Sequence, residues 1–181
     1  MAEVSRGEGS VGRRHFTEMG ARLALVLFAG CATSSFAGNV YRDSQTAFRV
    51  GEIPTTWHRF DLSGADLTFR DDAGGTILVN GLCEGVKDVS LDVLTNQALF
   101  GMERKQVLSR DPITLDGRDA LRTRLRGTMD GVAVELELVV MKKDNCTYDF
   151  QLVASPEAFP SIEPGFQRFV AGFRQLPRGG S

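Results

Sequence analysis

Arg118-Asp119-Ala120-Leu121-Arg122-Thr123-Arg124-Leu125-Arg126 is followed, after five residues ending in Asp130-Gly131, by Val132-Ala133-Val134-Glu135-Leu136-Glu137-Leu138-Val139-Val140. Both halves alternate with the two-residue period of a strand. Leu121, Thr123 and Leu125 share one side of the first half, and Arg122, Arg124 and Arg126 share the other. In the second half Val132, Val134, Leu136, Leu138 and Val140 lie opposite Glu135 and Glu137. Asp-Gly suits a two-residue type I′ turn, in which both central residues take positive φ. That turn sets Arg126 against Glu135, Arg124 against Glu137, Leu125 against Leu136 and Leu121 against Val140. One register satisfies both faces, whereas a slip of one residue turns every side chain to the wrong side. The chain is therefore expected to hold an antiparallel sheet. The charged side reads as a solvated face with weak cross-strand ion pairs rather than an anion or headgroup patch. Arg122, opposite Val139, is left without a partner.

Strands extend outward from this hairpin. Cys146-Thr147-Tyr148-Asp149-Phe150-Gln151-Leu152 alternates, with Cys146, Tyr148, Phe150 and Leu152 on one face. A three-residue loop at Lys143-Asp144-Asn145 would set Leu138 against Phe150 and Val140 against Tyr148. Upstream, Gln106 to Ser109 and Ile113 to Leu115 read as short strands separated at Pro112, followed by the turn Asp116-Gly117. Ala47 to Ile53, Asp66 to Arg70 and Thr76 to Asn80 read as further strands, the first ended by Pro54.

Two helices complete the pattern. Ser90 can cap the first with its hydroxyl, Asp92 opposes the positive end of its dipole, and Gly101 can close it. Leu91, Leu94, Ala98 and Leu99 give it an apolar side. Ser155-Pro156-Glu157 opens a terminal helical region, with an interruption at Pro160 and a restart at Ser161. Phe166, Phe169, Val170 and Phe173 then recur at i, i+3, i+4 and i+7, an amphipathic stripe for the core. The fold class is α+β: an antiparallel sheet of about six to seven strands, with a middle helix and a C-terminal amphipathic helix packed on it.

The start of the chain has another character. Leu23-Ala24-Leu25-Val26-Leu27-Phe28-Ala29-Gly30 is an apolar run behind Arg22, too short to span a bilayer but fitting the centre of an export signal. A buried cytosolic helix and an ordinary cleaved signal are alternatives. Phe28-Ala29-Gly30-Cys31 resembles the lipobox of bacterial lipoproteins, with Phe28 where Leu is usual. That resemblance implies cleavage before Cys31, a diacylglycerol on its thiol and further acylation of the new amino group. Ala32, where Asp commonly signals inner-membrane retention, implies an outer membrane facing the periplasm if the organism has two membranes. Arg13-Arg14-His15-Phe16 resembles part of a twin-arginine motif, a receptor-read address. Met19-Gly20-Ala21-Arg22 would make a compact alternative start. The expected organisation is a signal at 1–30, lipidated Cys31 with a short flexible tether through 40, one globular domain at 41–177 and a disordered tail at 178–181. Ala32 to Asn39 would reach about 16 Å, which keeps the domain near the membrane surface.

Composition narrows the rest. The 181 residues carry a formal net charge of −2, so no basic footprint points to nucleic acid. About 150 residues follow Cys31, enough for one core. With Cys31 acylated, Cys83 and Cys146 remain as an even pair in an oxidising compartment, which suggests one disulfide, with two separate thiols as the alternative. One histidine after the signal, His58, leaves too few soft ligands for zinc; no Gly-x-Ser-x-Gly is present, and His58 beside Trp57 reads as a surface or half-buried side chain rather than the base of a nucleophilic triad. Asp61, Asp66, Asp71 and Asp72 do not match a calcium loop, and Glu84, Asp88 and Asp92 form no distinctive pattern. No phosphate loop or dinucleotide fingerprint is present, so no catalytic residue, metal or cofactor is expected.

Phe48-Arg49-Val50-Gly51-Glu52-Ile53-Pro54-Thr55-Thr56-Trp57 resembles the opening of Mog1/PsbP-like domains, in which an apolar strand runs into Pro-x-x-Trp. The order of elements from Phe48 to Leu176 resembles theirs as well. The resemblance implies an α/β/α sandwich used for docking on partners rather than for chemistry. The function expected is a lipid-anchored envelope protein, held to the membrane by Cys31, that binds an envelope protein or polymer. The alternatives are a small-ligand or metal-binding module, or a carboxylate-based hydrolase with a deep pocket lined by Asp61, Asp66 or Glu84, and a purely structural or stress-related envelope component.

Overall fold

A computed structural model describes residues 34–85 and 88–178. The expected export signal, Cys31 and the last three residues of the expected tail lie outside them. In chain order the elements are β1 (Ser35–Ala37), β2 (Val40–Arg42), β3 (Ala47–Arg49), β4 (Trp57–Arg59), β5 (Leu67–Asp71), β6 (Thr76–Leu82), α1 (Leu91–Ala98), β7 (Glu103–Leu115), β8 (Arg118–Met129), β9 (Val132–Lys143), β10 (Cys146–Ala154), α2 (Phe159–Ala171) and β11 (Arg174–Gln175). Seven strands form one antiparallel sheet in the order β4-β5-β6-β10-β9-β8-β7, and a smaller sheet runs β1-β2-β3-β11.

The opening hairpin has the expected register. Asp130 and Gly131 take φ of 50° and 79°, and Leu125 pairs with Leu136, Arg126 with Glu135 and Arg122 with Val139. The next hairpin differs. Asp144 and Asn145 both take positive φ, 47° and 64°, so they make a two-residue turn that pairs Lys143 directly with Cys146. Phe150 therefore lies opposite Val139 and Tyr148 opposite Met141, not against Leu138 and Val140. This one-residue correction divides the core. Val139, Met141, Tyr148, Phe150 and Leu152 join α2 and the small sheet on one face. Leu125, Leu136, Leu138 and Val140 join Leu99 and Met102 under α1 on the other.

Other corrections have equally local causes. β7 is one strand through Pro112, because an edge strand can lose a donor on its open side, and two register shifts bend its first half. The strand expected through Ile53 stops at Arg49. Gly51 then donates its N–H to Phe169 O at 2.7 Å, and its Cα packs against Gly172, where no Cβ would fit on either residue. The interruption at Pro160 is absent: Pro160 sits in the first turn of α2, where its missing N–H costs nothing, and Pro164 is carried inside the helix. Ser155 accepts from Ala158 N in the turn before α2 instead of capping it. Ser90 does cap α1, accepting from Val93 N at 3.3 Å. The tether expected through residue 40 is also shorter, since Gly38 and Asn39 turn β1 back onto β2 with φ of 57° and 62°. Phe36 of β1 packs edge-on against Phe69 of β5, and Arg59 lies 5.4 Å from its ring centre. The described chain thus enters beside β4 and β5.

Candidate functional site

The arginine–glutamate face is not solvated. α2 covers it, leaving Glu135 fully buried and Glu137 1% exposed. Arg124 Nε donates to Glu135 Oε1 at 2.6 Å and Arg126 Nε to Glu135 Oε2 at 2.7 Å. A second arm of Arg124 reaches Glu163 of α2 at 2.9 Å, with its guanidinium carbon 4.6 Å from the centre of the Phe159 ring. Arg122 is not unpartnered: its Nε lies 3.3 Å from Glu137 Oε1, although the two are poorly aligned for a hydrogen bond. Burial acts to raise the Glu135 carboxyl, but the hydrogen bonds and charges of Arg126 and Arg124 outweigh it and hold the group below its ordinary value. Burial dominates at Glu137, so that carboxyl is raised despite Arg122, and Glu163 adds to the effect. These charges fasten α2 to the sheet.

The acidic candidates are scattered. Asp61 is exposed, 3.9 Å from Arg59. Asp66 accepts from Gly81 N at 2.7 Å, and Asp71 shapes its own turn by accepting from Ala73 N and the Thr56 hydroxyl, each at 2.7 Å. Asp72 meets exposed His58 at 2.8 Å, Asp88 meets Lys142 at 2.8 Å, and Asp92 meets Arg110 at 3.0 Å. Glu84 accepts from the Gln45 amide at 3.4 Å. Among the described residues no three His, Cys, Asp or Glu side chains converge as metal ligands. A groove of about 470 Å³ runs past Arg118, Lys142, Lys143 and Asp144, away from Asp61, Asp66 and Glu84. Its cations are paired, Arg118 with Asp144 at 3.1 Å and Lys143 with Asp116 at 2.6 Å.

Pairing of Leu82 with Thr147 brings the next residues, Cys83 and Cys146, opposite each other, and a disulfide joins them with Cα atoms 4.0 Å apart. It ties the end of β6 to the start of β10, and Gln175 of β11 points its amide at Cys146 Sγ from 3.7 Å.

A different feature stands out at the opposite side of the large sheet. Phe100, just beyond α1, is 94% exposed, and Val132 is 64% exposed; Val107 and Met129 are also open. Register sets Val107, Met129 and Val132 on one face, with Phe100 at the end of the helix that lies on it. Val107 pairs with Leu125 and Met129 with Val132, and Leu125 belongs to the cluster under α1, so these side chains share its face. Below them lie Leu99, Met102 and Val134. Lys105 Nζ to Leu99 O and Arg110 to Asp92 tie β7 to α1 and give the apolar margin a charged rim. The strand order makes β4 and β7 opposite edges, about 29 Å apart at the usual strand spacing. Exposed apolar groups clustered inside a polar rim are the anatomy of a docking surface. Sequence reasoning missed it, although Ala98-Leu99-Phe100-Gly101-Met102 signals that one of its three large apolar side chains must point outward.

No protein-family model matches the chain, and no curated protein matches it. Solved structures do. The solution structure of cyanobacterial PsbP (CyanoP) from Synechocystis sp. PCC 6803 aligns with a TM-score of 0.51 and 15% identity, over 82% of this chain and 96% of that one. LpqN of Mycobacterium tuberculosis, described as involved in cell envelope biogenesis, aligns at 0.51 and 15% identity over 80% of this chain and 90% of its own. PA94 of Pseudomonas aeruginosa, a protein of unknown function and putative regulator, gives 0.51 and 13% identity over 82% and 98%. The architecture is an α+β fold of the PsbP/Mog1-like kind, and it does not dictate a reaction.

Proposed function

We propose that this is a lipid-anchored domain of the bacterial cell envelope that binds an envelope protein or polymer without catalysing a reaction. The observation that carries the reading is the exposed apolar margin of Phe100, Val107, Met129 and Val132 at the edge remote from β1. The described chain begins beside β4 and β5, and the margin at β7 is open to a partner. Two acyl chains or more give stable attachment where one is marginal. The place of action is the outer membrane, facing the periplasm, in a two-membrane organism. Among the described residues no helix is long and apolar enough to cross a membrane. The envelope role of LpqN supports the location.

Two measurements in native cells test this. Cys31→Ser is expected to abolish acyl labelling and release the protein from the membrane; a variant that stays bound would show that the domain itself holds the bilayer. A photo-cross-linking side chain at position 100 is expected to give a discrete adduct that the same group at exposed Asp61 does not. Equal adducts from both positions would remove the margin from the argument.

A further inference from the structure

The helix α1 has eight residues and is about 12 Å long, so it cannot roof the whole face on which it lies. It packs over β8 and β9 and leaves the β10–β6 side open. Leu94, Gln97 and Ala98 of α1 then form one wall of a groove of about 210 Å³, with Val140, Thr147 and Asp149 across from them. In register, Asn80, Asp149 and Val140 make one row across β6, β10 and β9. Asn80 and Gln151 both donate their amides to Asp149 Oδ1, at 3.1 and 2.9 Å. Two neutral donors thus fix the carboxyl in place without neutralising it.

Glu135, Glu137, Glu163 and Asp116 each have an arginine or lysine within 4 Å. Among the described residues Asp149 has no such cation, although it sits half-buried at the groove floor beside the apolar Leu94, Ala98 and Val140. Among the described residues Asp43, Asp66 and Asp71 also lack a basic partner, but each accepts a backbone N–H, whereas the donors to Asp149 are both side-chain amides. Burial also raises its carboxyl, the amides of Gln151 and Asn80 opposing the effect. A half-buried carboxyl without a counter-charge is relieved by taking up a proton or by pairing with a cation, and the groove beside Asp149 has room for the cation. The flanking apolar wall suits methylene groups rather than a hydrated metal ion.

We infer that the groove between α1 and β10 binds a primary alkylammonium group, its head on Asp149 and its methylenes along Leu94, Ala98 and Val140. The group is either a lysine side chain of a peptide or a free small amine. This site is separate from the Phe100 margin, so each can fail alone.

The test is a two-dimensional amide NMR titration of the full chain in maltoside micelles, with n-butylamine as the free amine and Nα-acetyl-lysine methylamide as the peptide lysine. Saturable shifts are expected at Thr147, Asp149 and the side-chain amides of Asn80 and Gln151. n-Butanol, of the same shape without charge, is expected to bind at least about tenfold more weakly, the equivalent of about 1.4 kcal/mol. Asp149→Asn, nearly isosteric, should lose the response to a similar degree. Thr147→Lys, two residues along the same face, should block it by supplying a tethered ammonium. Tighter binding of the lysine derivative assigns a peptide ligand, and tighter binding of butylamine a free amine. Equal shifts with butanol, an unchanged response in folded Asp149→Asn, or no saturable shift at these amides would overturn the proposal.

Discussion

Replacing Cys83 and Cys146 together with serine is expected to lower the unfolding free energy by about 4 kcal/mol. The bond spans 63 positions, and closing a loop of that size removes about this much free energy from the disordered chain in the chain-entropy treatment. Serine is nearly isosteric with the reduced thiol, so lost packing adds little. The location favours a full effect. Cys146 is 1% exposed and opens β10, the strand that joins β6 to the β7–β9 hairpins, so the bridge secures the middle of the sheet. Urea unfolding of the oxidised protein, the reduced protein and the double variant measures it. Reduction and substitution should move the midpoint together. If neither moves it, the two sulfurs contribute packing only.

The double substitution Arg124→Met and Arg126→Met is expected to cost about 3–5 kcal/mol at neutral pH, because it strands Glu135 as a fully buried carboxylate. The pH dependence separates this cause from lost packing. In the native protein both arginines hold the Glu135 carboxyl below its ordinary value. That contribution is present above the unfolded value and disappears as pH falls through the folded one. Without the arginines burial alone acts, the folded value rises above the unfolded one, and stability is lost as pH rises through it. The deficit of the variant should therefore shrink on acidification from pH 7 toward pH 4, and Glu135→Gln added to the variant should recover most of it. A deficit that stays constant with pH would assign the effect to lost packing, including the Arg124 guanidinium over the Phe159 ring. Glu137 has the opposite sign in the native protein: its raised carboxyl favours the fold at low pH.

The same residues show what the sequence could disclose. Pairing of Arg126 with Glu135 was legible because alternation and Asp130-Gly131 specify a register unaided. What covered that face was not legible, since the cover is α2, distant in sequence, and charged residues on a strand look alike whether water or a helix lies over them. Asp144-Asn145 could close two residues or belong to three. Asn and Asp both tolerate positive φ, so only the packing of Tyr148 and Phe150 against Met141 and Val139 selects the shorter turn. Strands of two or three residues such as β1, β2 and β11 have too little pattern to be seen, which is why residues 35–40 read as tether. Half of the Asp149 groove was readable in Asp149 itself, on the alternating β10; the rest depends on the shortness of α1 and the open flank it leaves.

The two-residue turns also set an order of assembly. Asp116-Gly117, Asp130-Gly131 and Asp144-Asn145 link β7, β8, β9 and β10 into a meander whose every pairing is local. Pairing of β6 with β10, and of β3 with β11, must instead close long loops, and such contacts form slowly. The meander is expected to nucleate first, with φ-values near 1 at Leu125 and Leu136 and near 0 at Phe48. Cys146 would then wait on a preformed edge strand for β6 to arrive, so the disulfide would record the completion of folding and not guide its beginning.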